Sequence, residues 1–135
     1  MKPRIFVVED EAVVALDIRH RLQQLGYDIA GMASSGEDAM SAVGASHPDV
    51  VLMDVNLGTG IDGIETAARI KEHYNIPVVY ITAFSDAELI ARIRLTEPFA
   101  YVLKPFEEAE LHAAVEIALL RNRLETTIRE QKQLL

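Results

Sequence analysis

The sequence contains no cysteine among its 135 residues, and it has few basic residues. Without cysteine the chain cannot form a disulfide, a thiol nucleophile or a cysteine-ligated zinc site. Its 13 lysines and arginines are outnumbered by 21 aspartates and glutamates, which gives a formal net charge of −8 at pH 7. Nucleic-acid affinity depends on clustered cations that neutralise phosphates. We therefore expect no direct nucleic-acid binding by this domain.

Long apolar runs are absent as well. The first run, Ile5–Val8, is followed at once by the acids Glu9, Asp10 and Glu11. It is too short for a signal sequence or a membrane span, so we expect no membrane association and a cytoplasmic location. Half of the residues are nevertheless hydrophobic, enough to bury the core of one ordinary domain.

Short, continuous apolar runs rich in β-branched residues recur along the chain. They lie at Ile5–Val8, Val50–Met53, Val78–Ile81 and Ala100–Leu103, with a weaker fifth run at Asp28–Ala33. Continuous runs of this kind are typical of strands covered on both faces by helices. The segments between them have helical spacing, and capping-box patterns begin at Ser34, Asp62 and Ser85. The alternation predicts an α/β fold with a parallel sheet between two layers of helices.

The last segment, residues 107–135, is predicted to be one long helix. Leu111 and Val115 lie in its first half, where a docking face is expected, whereas Leu124, Ile128 and Leu134 continue beyond what one sheet can cover. This extension is either a frayed, solvated helix end or a segment for dimerisation or linkage.

Polar side chains follow four of the predicted strands, where each strand ends. Glu9 and Asp10 follow the first strand, Asp54 the third, Thr82 the fourth and Lys104 the fifth. In an open parallel sheet these ends form one edge, where ligands bind. Three converging carboxylates repel one another, and a single lysine cannot neutralise them. Oxygen ligands without histidine or cysteine favour a bound Mg²⁺.

A carboxylate beside Mg²⁺, a hydroxyl and a lysine has the composition of a phosphoryl site. The metal and the lysine neutralise the phosphoryl oxygens, and the hydroxyl donates a hydrogen bond to one of them. Asp54 is the candidate nucleophile, which would form an acyl phosphate.

With this set of residues, the sequence resembles the receiver domains of two-component response regulators. The resemblance covers residues 1–120 and rests on four motifs in the family's order: VVEDE (7–11), VLMDVNL (51–57), YITA (80–83) and YVLKPF (101–106). It implies a flavodoxin-like, doubly wound (βα)5 sandwich whose five-stranded parallel sheet has the order 2-1-3-4-5. Residues 121–135 would extend the last helix as a linker or dimerisation segment.

The resemblance also implies a role for each residue at the edge. Asp54 would accept a phosphoryl group from the phosphohistidine of a sensor histidine kinase or a phosphotransfer protein. Mg²⁺ would be bound by Asp10, Asp54 and the backbone carbonyl of Asn56, and Glu9 would contribute through water. The chain would catalyse only its own phosphorylation and dephosphorylation, and so would not be an enzyme acting on a diffusible metabolite.

The remaining roles concern the switch that follows phosphorylation. Lys104 would pair with the phosphoryl group, aimed by a cis peptide bond to Pro105. Thr82 would move to bind a phosphoryl oxygen, with small Ala83 leaving room, and Tyr101 would turn inward. The surface of the fourth helix, fifth strand and fifth helix would then signal to a partner or output domain, or form a homodimer.

Three other functions share single features with this one, and the sequence disfavours each of them. Residues 58–63 spell G-x-G-x-x-G, which resembles a dinucleotide-binding motif. That motif needs its first glycine at the strand end, where Asp54 stands instead. We interpret the glycines as a flexible loop and Asp62 as a helix cap. A haloacid-dehalogenase-like aspartyl-phosphate phosphatase needs D-x-D, and Asn56 occupies the second position. An FMN-binding flavodoxin is disfavoured because acids follow the first strand. The four histidines lack ligand spacing and are predicted to be exposed.

Overall fold

A single parallel sheet forms the centre of the fold. The computed structural model describes residues 2–55, 57, 62–82, 91 and 100–134. The strands are β1 (Arg4–Val8), β2 (Asp28–Ala33), β3 (Val50–Asp54), β4 (Val78–Thr82) and β5 (Ala100–Leu103). Every neighbouring pair is parallel, and the spatial order is β2-β1-β3-β4-β5. The predicted fold class, strand order and strand positions are confirmed.

Helices cover both faces of this sheet. They are α1 (Ala12–Gln24), α2 (Gly36–Ser46), α3 (Gly63–Tyr74) and the C-terminal helix (Glu108–Leu134). Buried residues of α1 and the C-terminal helix pack in one apolar cluster, and those of α2 and α3 pack in a second. The predicted fourth helix, with its capping pattern at Ser85, lies outside the described residues.

The helix starts show where the capping prediction was right and where it was wrong. At α3 the prediction is confirmed, because Asp62 accepts a hydrogen bond from the backbone N–H of Glu65 at 2.8 Å. At α2 the cap is Ser35 and not Ser34, and its Oγ accepts from the N–H of Asp38 at 3.2 Å. Two serines followed by two acids allow either register, so the pattern alone could not choose between them.

Strand β3 is buried along its whole length. All five of its residues are buried, and so are all five of β4, its neighbour in the sheet. Each fully buried Val, Leu or Met side chain contributes roughly 1.5–3 kcal/mol of transfer free energy. The carboxyl ends of β3 and β4 are thus fixed by the most deeply buried part of the molecule.

The C-terminal helix leaves the core halfway along its 27 residues. Its buried side chains lie between Leu111 and Ala118, and Leu124 and Ile128 beyond them are about half exposed. Across the molecule, the buried Tyr27 hydroxyl donates to Glu116 Oε1 at 2.6 Å and ties the docked half of the helix to the start of β2. None of the described helices combines the length and apolarity needed to cross a membrane.

Candidate functional site at the carboxyl edge of the sheet

Three carboxylates meet at the carboxyl ends of β1 and β3. Glu9, Asp10 and Asp54 each place an oxygen within 4.8 Å of the others. Glu9 and Asp54 are buried, with 2% and 5% of their surface exposed, whereas Asp10 is open to solvent. Among the described residues this is the one group of three acidic or histidine side chains with metal-binding spacing. The structure therefore brings together the acids that the sequence placed at separate strand ends.

Lys104 supplies the positive charge of the site. Its Nζ lies 3.5 Å from Glu9 Oε2 and 3.6 Å from Asp54 Oδ2. Its backbone N–H donates to the carbonyl of Thr82 at 2.7 Å, which joins the end of β5 to the end of β4. The peptide bond from Lys104 to Pro105 is cis. One ammonium group thus bridges the two buried carboxylates.

Glu9 is strongly perturbed by these surroundings. Burial, and after it the neighbouring carboxyl of Asp54, raise the pKa of the Glu9 carboxyl from 4.5 to about 8. The charge of Lys104 and the N–H of Glu11, 3.3 Å from Oε1, act in the opposite direction. In the metal-free protein at neutral pH, Glu9 therefore holds a proton that an exposed glutamate would have lost.

This perturbation predicts a pH-dependent stability. The folded state keeps the Glu9 proton up to about pH 8, while the unfolded chain loses it near 4.5. The folded state binds more protons in that window, so the free energy of unfolding falls as the pH rises from 4.5 through 8. Urea melts in EDTA between pH 5 and 9 should show this decline, and Glu9→Gln should remove most of it. An identical decline in both proteins would contradict the assignment.

The acid cluster has the donor chemistry of a hard cation site. All its ligand atoms are oxygens, and Glu9 Oε2 is buried without a hydrogen bond. A divalent cation would relieve the repulsion among the acids, and a water molecule bound to it would donate a hydrogen bond to this oxygen. The exposed Asp10 leaves one side open to water, which Mg²⁺ retains when it binds. Asn56, predicted to contribute its carbonyl, lies outside the described residues.

The two predicted switch residues differ in exposure. Thr82, at the end of β4, is 3% exposed, and its carbonyl accepts the hydrogen bond from the backbone N–H of Lys104. Tyr101 is 44% exposed on β5, where it pairs with the buried Tyr80. Ala83, predicted to leave space for the movement of Thr82, lies outside the described residues.

Gly63 is a site residue that sequence reasoning missed. A Cβ atom built on it would lie 2.0 Å from the backbone oxygen of Asp54 and 2.9 Å from Val55 Cα. Its N–H donates to the carbonyl of Val55 at 3.2 Å. The interpretation of the motif's glycines as a flexible loop is therefore wrong for Gly63, the first residue of α3, where the helix packs directly on the strand end. Gly58 and Gly60 lie outside the described residues.

The histidines take no part in the acidic site. His20, His47, His73 and His112 are all exposed, as predicted. His112 instead lies 3.7 Å from Glu116 and meets the ring of Tyr27 edge-on.

Comparisons with known proteins agree with this geometry. The family model described as response regulator receiver domain matches residues 5–116. The transcriptional regulatory protein PdtaR of Mycobacterium tuberculosis is 38% identical over 120 residues, which is 89% of this chain and 58% of the relative. The chain thus spans a little over half the length of that relative.

Solved structures give the same result. The signal receiver domain of a modulated diguanylate cyclase from Desulfovibrio desulfuricans G20 has a TM-score of 0.87 and 36% identity, covering 93% of this chain and 99% of that one. The N-terminal domain of a response regulator/sensory box/GGDEF 3-domain protein from Carboxydothermus hydrogenoformans has a TM-score of 0.82 and 35% identity, covering 91% and 98%. The phosphatase alternative is not favoured. This chain belongs to the response regulator receiver domains of two-component systems.

Proposed function

We propose that Asp54 is the phosphoacceptor of this domain and that its donor is the phosphohistidine of a sensor histidine kinase or a phosphotransfer protein. The observation that carries the proposal is the bridge of Lys104 between buried Asp54 and Glu9, beside exposed Asp10. A buried nucleophile next to a fixed cation, with an open side for a donor, suits phosphoryl transfer.

The transfer itself would be a single displacement. A carboxylate oxygen of Asp54 attacks the phosphorus, the new O–P bond forms as the P–N bond of the phosphohistidine breaks, and the bonding pair leaves with the imidazole. Lys104 would neutralise charge on the phosphoryl oxygens. The rigid end of β3 would hold the attacking oxygen in line.

Mg²⁺ is the cation we propose for the acid cluster. Asp10, Asp54 and the carbonyl of Asn56 would bind it directly, with Glu9 acting through water. When bound it neutralises charge on the phosphoryl oxygens. Because the charge of a divalent cation beside Glu9 favours its ionised form, we expect binding to release the proton that Glu9 holds in the metal-free protein.

Phosphorylation would then shift the domain between two packings. The buried Thr82 hydroxyl would donate to a phosphoryl oxygen, and Tyr101 would move from its half-exposed position into the space released. Contacts present in only one packing are what shift such an equilibrium. The altered surface would comprise β5, the docked half of the C-terminal helix and the predicted fourth helix. A partner, an output domain or a second copy would dock on it.

A surface suited to the donor lies beside the site on α1. Val13 and Leu16 are 80% and 51% exposed, next to an open groove of about 460 Å³ that Lys104 and Phe106 help to line. Arg21 lies 5.6 Å from the Phe106 ring centroid and holds that wall in place. Exposed apolar groups beside the reactive edge would let a donor helix pack there and deliver its imidazole to Asp54.

The test of phosphorylation is an intact-mass measurement. We expect incubation with acetyl phosphate and Mg²⁺ to add one phosphoryl group to the wild-type chain, and EDTA to prevent it. Asp54→Asn should take up none, whereas Asp49→Asn, a matched acid at the opposite edge of the sheet, should behave as wild type. An equal adduct on Asp54→Asn would overturn the proposal, and so would no adduct on any protein even when phosphorylated histidine kinases are offered.

A further inference from the structure

Beyond Ala118 the C-terminal helix passes the amino edge of the sheet, on the side opposite the acidic site. We call residues 119–134 the tail. The first part of the tail lines an open groove of about 650 Å³, whose other walls are the start of β1 and the loops after α2 and α3. Most of its side chains are exposed. A helix of about 15 residues without tertiary contacts is only marginally stable in water. Whether the tail keeps one position therefore depends on what holds it beyond the groove.

Arg129 makes a contact that holds the tail. With its amide oxygen facing the helix, Asn75 accepts hydrogen bonds from both Nη1 and Nη2 of the Arg129 guanidinium. Asn75 is the C-cap of α3, with a left-handed backbone at φ 56°. Its own N–H donates to the carbonyl of Lys71 at 3.1 Å, which fixes the residue at the helix end. The tail is thus fastened to the carboxyl end of α3.

The position of Arg129 is electrostatically favourable. Helices α2 and α3 both end at the amino edge, and the carbonyl end of a helix carries partial negative charge. At α2, Nη1 of Arg4 donates to the carbonyls of Ser46 and His47, at 2.6 and 3.2 Å. Arg129 brings the corresponding positive charge to α3, but it comes from the tail and not from a strand. The attraction that fixes Arg4 within the fold therefore also draws the tail onto α3.

The opposite end of α3 rests on the end of β3. Gly63 donates its N–H to the carbonyl of Val55 at 3.2 Å, and it lies so close to the backbone oxygen of Asp54 that a Cβ would be 2.0 Å away. The helix has 12 residues, so about 18 Å separates this contact from Asn75. A helix moves as a rigid rod over that length, and hydrogen bonds weaken steeply as they lengthen. A displacement of about 1 Å at Asp54 is therefore enough to break the contact with Arg129.

We propose that Asn75 and Arg129 form a latch that holds the tail against the domain, and that α3 connects this latch to Asp54. Because the latch is closed in this structure, a shift of α3 at Asp54 can only open it. Opening frees the tail without exposing the core, since the docked half of the helix is held by its own buried residues. The connection to Asp54 rests on the phosphoacceptor function proposed above, whereas the latch itself does not.

Backbone hydrogen exchange measured by NMR tests the latch in the unphosphorylated protein. Asn75→Gly removes the amide side chain, keeps the left-handed backbone and changes no residue of the tail. Arg129→Gln removes the guanidinium. In both variants we expect the amides of residues 123–132 to exchange about tenfold faster than in wild type, the effect of losing a hydrogen bond to a charged group. The amides of residues 111–118 should keep their rates, and the double variant should exchange no faster than either single variant.

Lys132→Gln is the control, because it removes a cation from the same end of the helix, where cations stabilise it through the helix dipole. We expect it to speed exchange by about twofold or less. Wild-type rates in Asn75→Gly would overturn the latch, and so would an effect of Lys132→Gln equal to that of Arg129→Gln. Additive effects of Asn75→Gly and Arg129→Gln would also overturn it, because they would show that the two residues act independently.

The connection to Asp54 is tested in acetyl phosphate and Mg²⁺, on samples whose intact mass shows one added phosphoryl group. Exchange at residues 123–132 should then rise in wild type toward the rate of Arg129→Gln, and it should stay the same in Arg129→Gln. Unchanged exchange in phosphorylated wild type would overturn the connection. If the protein takes up no phosphoryl group, the phosphoacceptor proposal fails, while the rates of the unphosphorylated variants still decide whether the latch exists.

Discussion

Gly63→Ala should destabilise the protein by about 3 kcal/mol or more, the upper end of the range for overpacking. The new methyl group would lie 2.0 Å from the backbone oxygen of Asp54 and 2.9 Å from Val55 Cα. Neither atom belongs to a side chain that can rotate away. Either α3 must move off the sheet or the end of β3 must shift, and the buried residues of both oppose it.

A second glycine in a helix serves as the control for this prediction. Gly44 lies inside α2, and a Cβ there would meet the Tyr74 hydroxyl at 2.7 Å, the far end of a side chain that can turn aside. Alanine also favours a helix over glycine by up to about 1 kcal/mol. We expect urea melts of Gly44→Ala to stay within about 1 kcal/mol of wild type. Equal stability of Gly63→Ala and wild type would show that the close packing at Asp54 does not exist in solution.

Lys104→Met should slow phosphoryl transfer to Asp54 by about 10²- to 10³-fold, the usual cost of removing one preorganised group that stabilises developing charge. Methionine keeps most of the side-chain volume, so the fold should persist. The cation that lies 3.6 Å from Asp54 Oδ2 and 3.5 Å from Glu9 Oε2 would be gone. Without it the carboxylates repel more strongly, and we expect Mg²⁺ to bind more tightly even as transfer slows.

If Lys104→Met binds Mg²⁺ more tightly but accepts the phosphoryl group more slowly, the lost charge explains both changes. A damaged fold would instead weaken metal binding as well as transfer. Lys132→Met, on the exposed end of the C-terminal helix, removes the same charge far from the site and should change neither quantity. Stopped-flow labelling with a phosphorylated donor and a Mg²⁺ titration by calorimetry give the two values. A Lys104→Met protein with a wild-type transfer rate would remove Lys104 from the mechanism.

The sequence was most informative where local chemistry and topology coincide. Continuous apolar runs located all five strands, and the polar residues after them had to share one edge once the sheet was parallel. The cluster of Glu9, Asp10 and Asp54 with Lys104 therefore followed from strand ends alone. Each of these residues directly follows a clearly predicted strand, so an error of one or two residues in the strand boundary leaves it at the same edge of the sheet.

Prediction failed where the deciding contact joins residues far apart in sequence or depends on exact register. Tyr27 and Glu116 are separated by 89 positions, and no local pattern announces their hydrogen bond. The choice between Ser34 and Ser35 as the cap of α2 depends on one residue of register, which two adjacent serines leave open. Position 63 requires glycine because the backbone of Asp54 lies too close for a Cβ atom. The spacing of the glycines in the sequence does not reveal this contact.

The measurement that tests the central claim most directly locates the phosphoryl group on the chain. Borohydride reduces an aspartyl phosphate to homoserine, so peptide mass mapping after incubation with acetyl phosphate and Mg²⁺ identifies the modified residue. If Asp54, beside Lys104, is the phosphoacceptor, homoserine should appear at position 54 only when metal is present, and Glu9 and Asp10 should be unchanged. Homoserine at position 10 with Asp54 intact would contradict it, as would its absence from a chain that has gained a phosphoryl group.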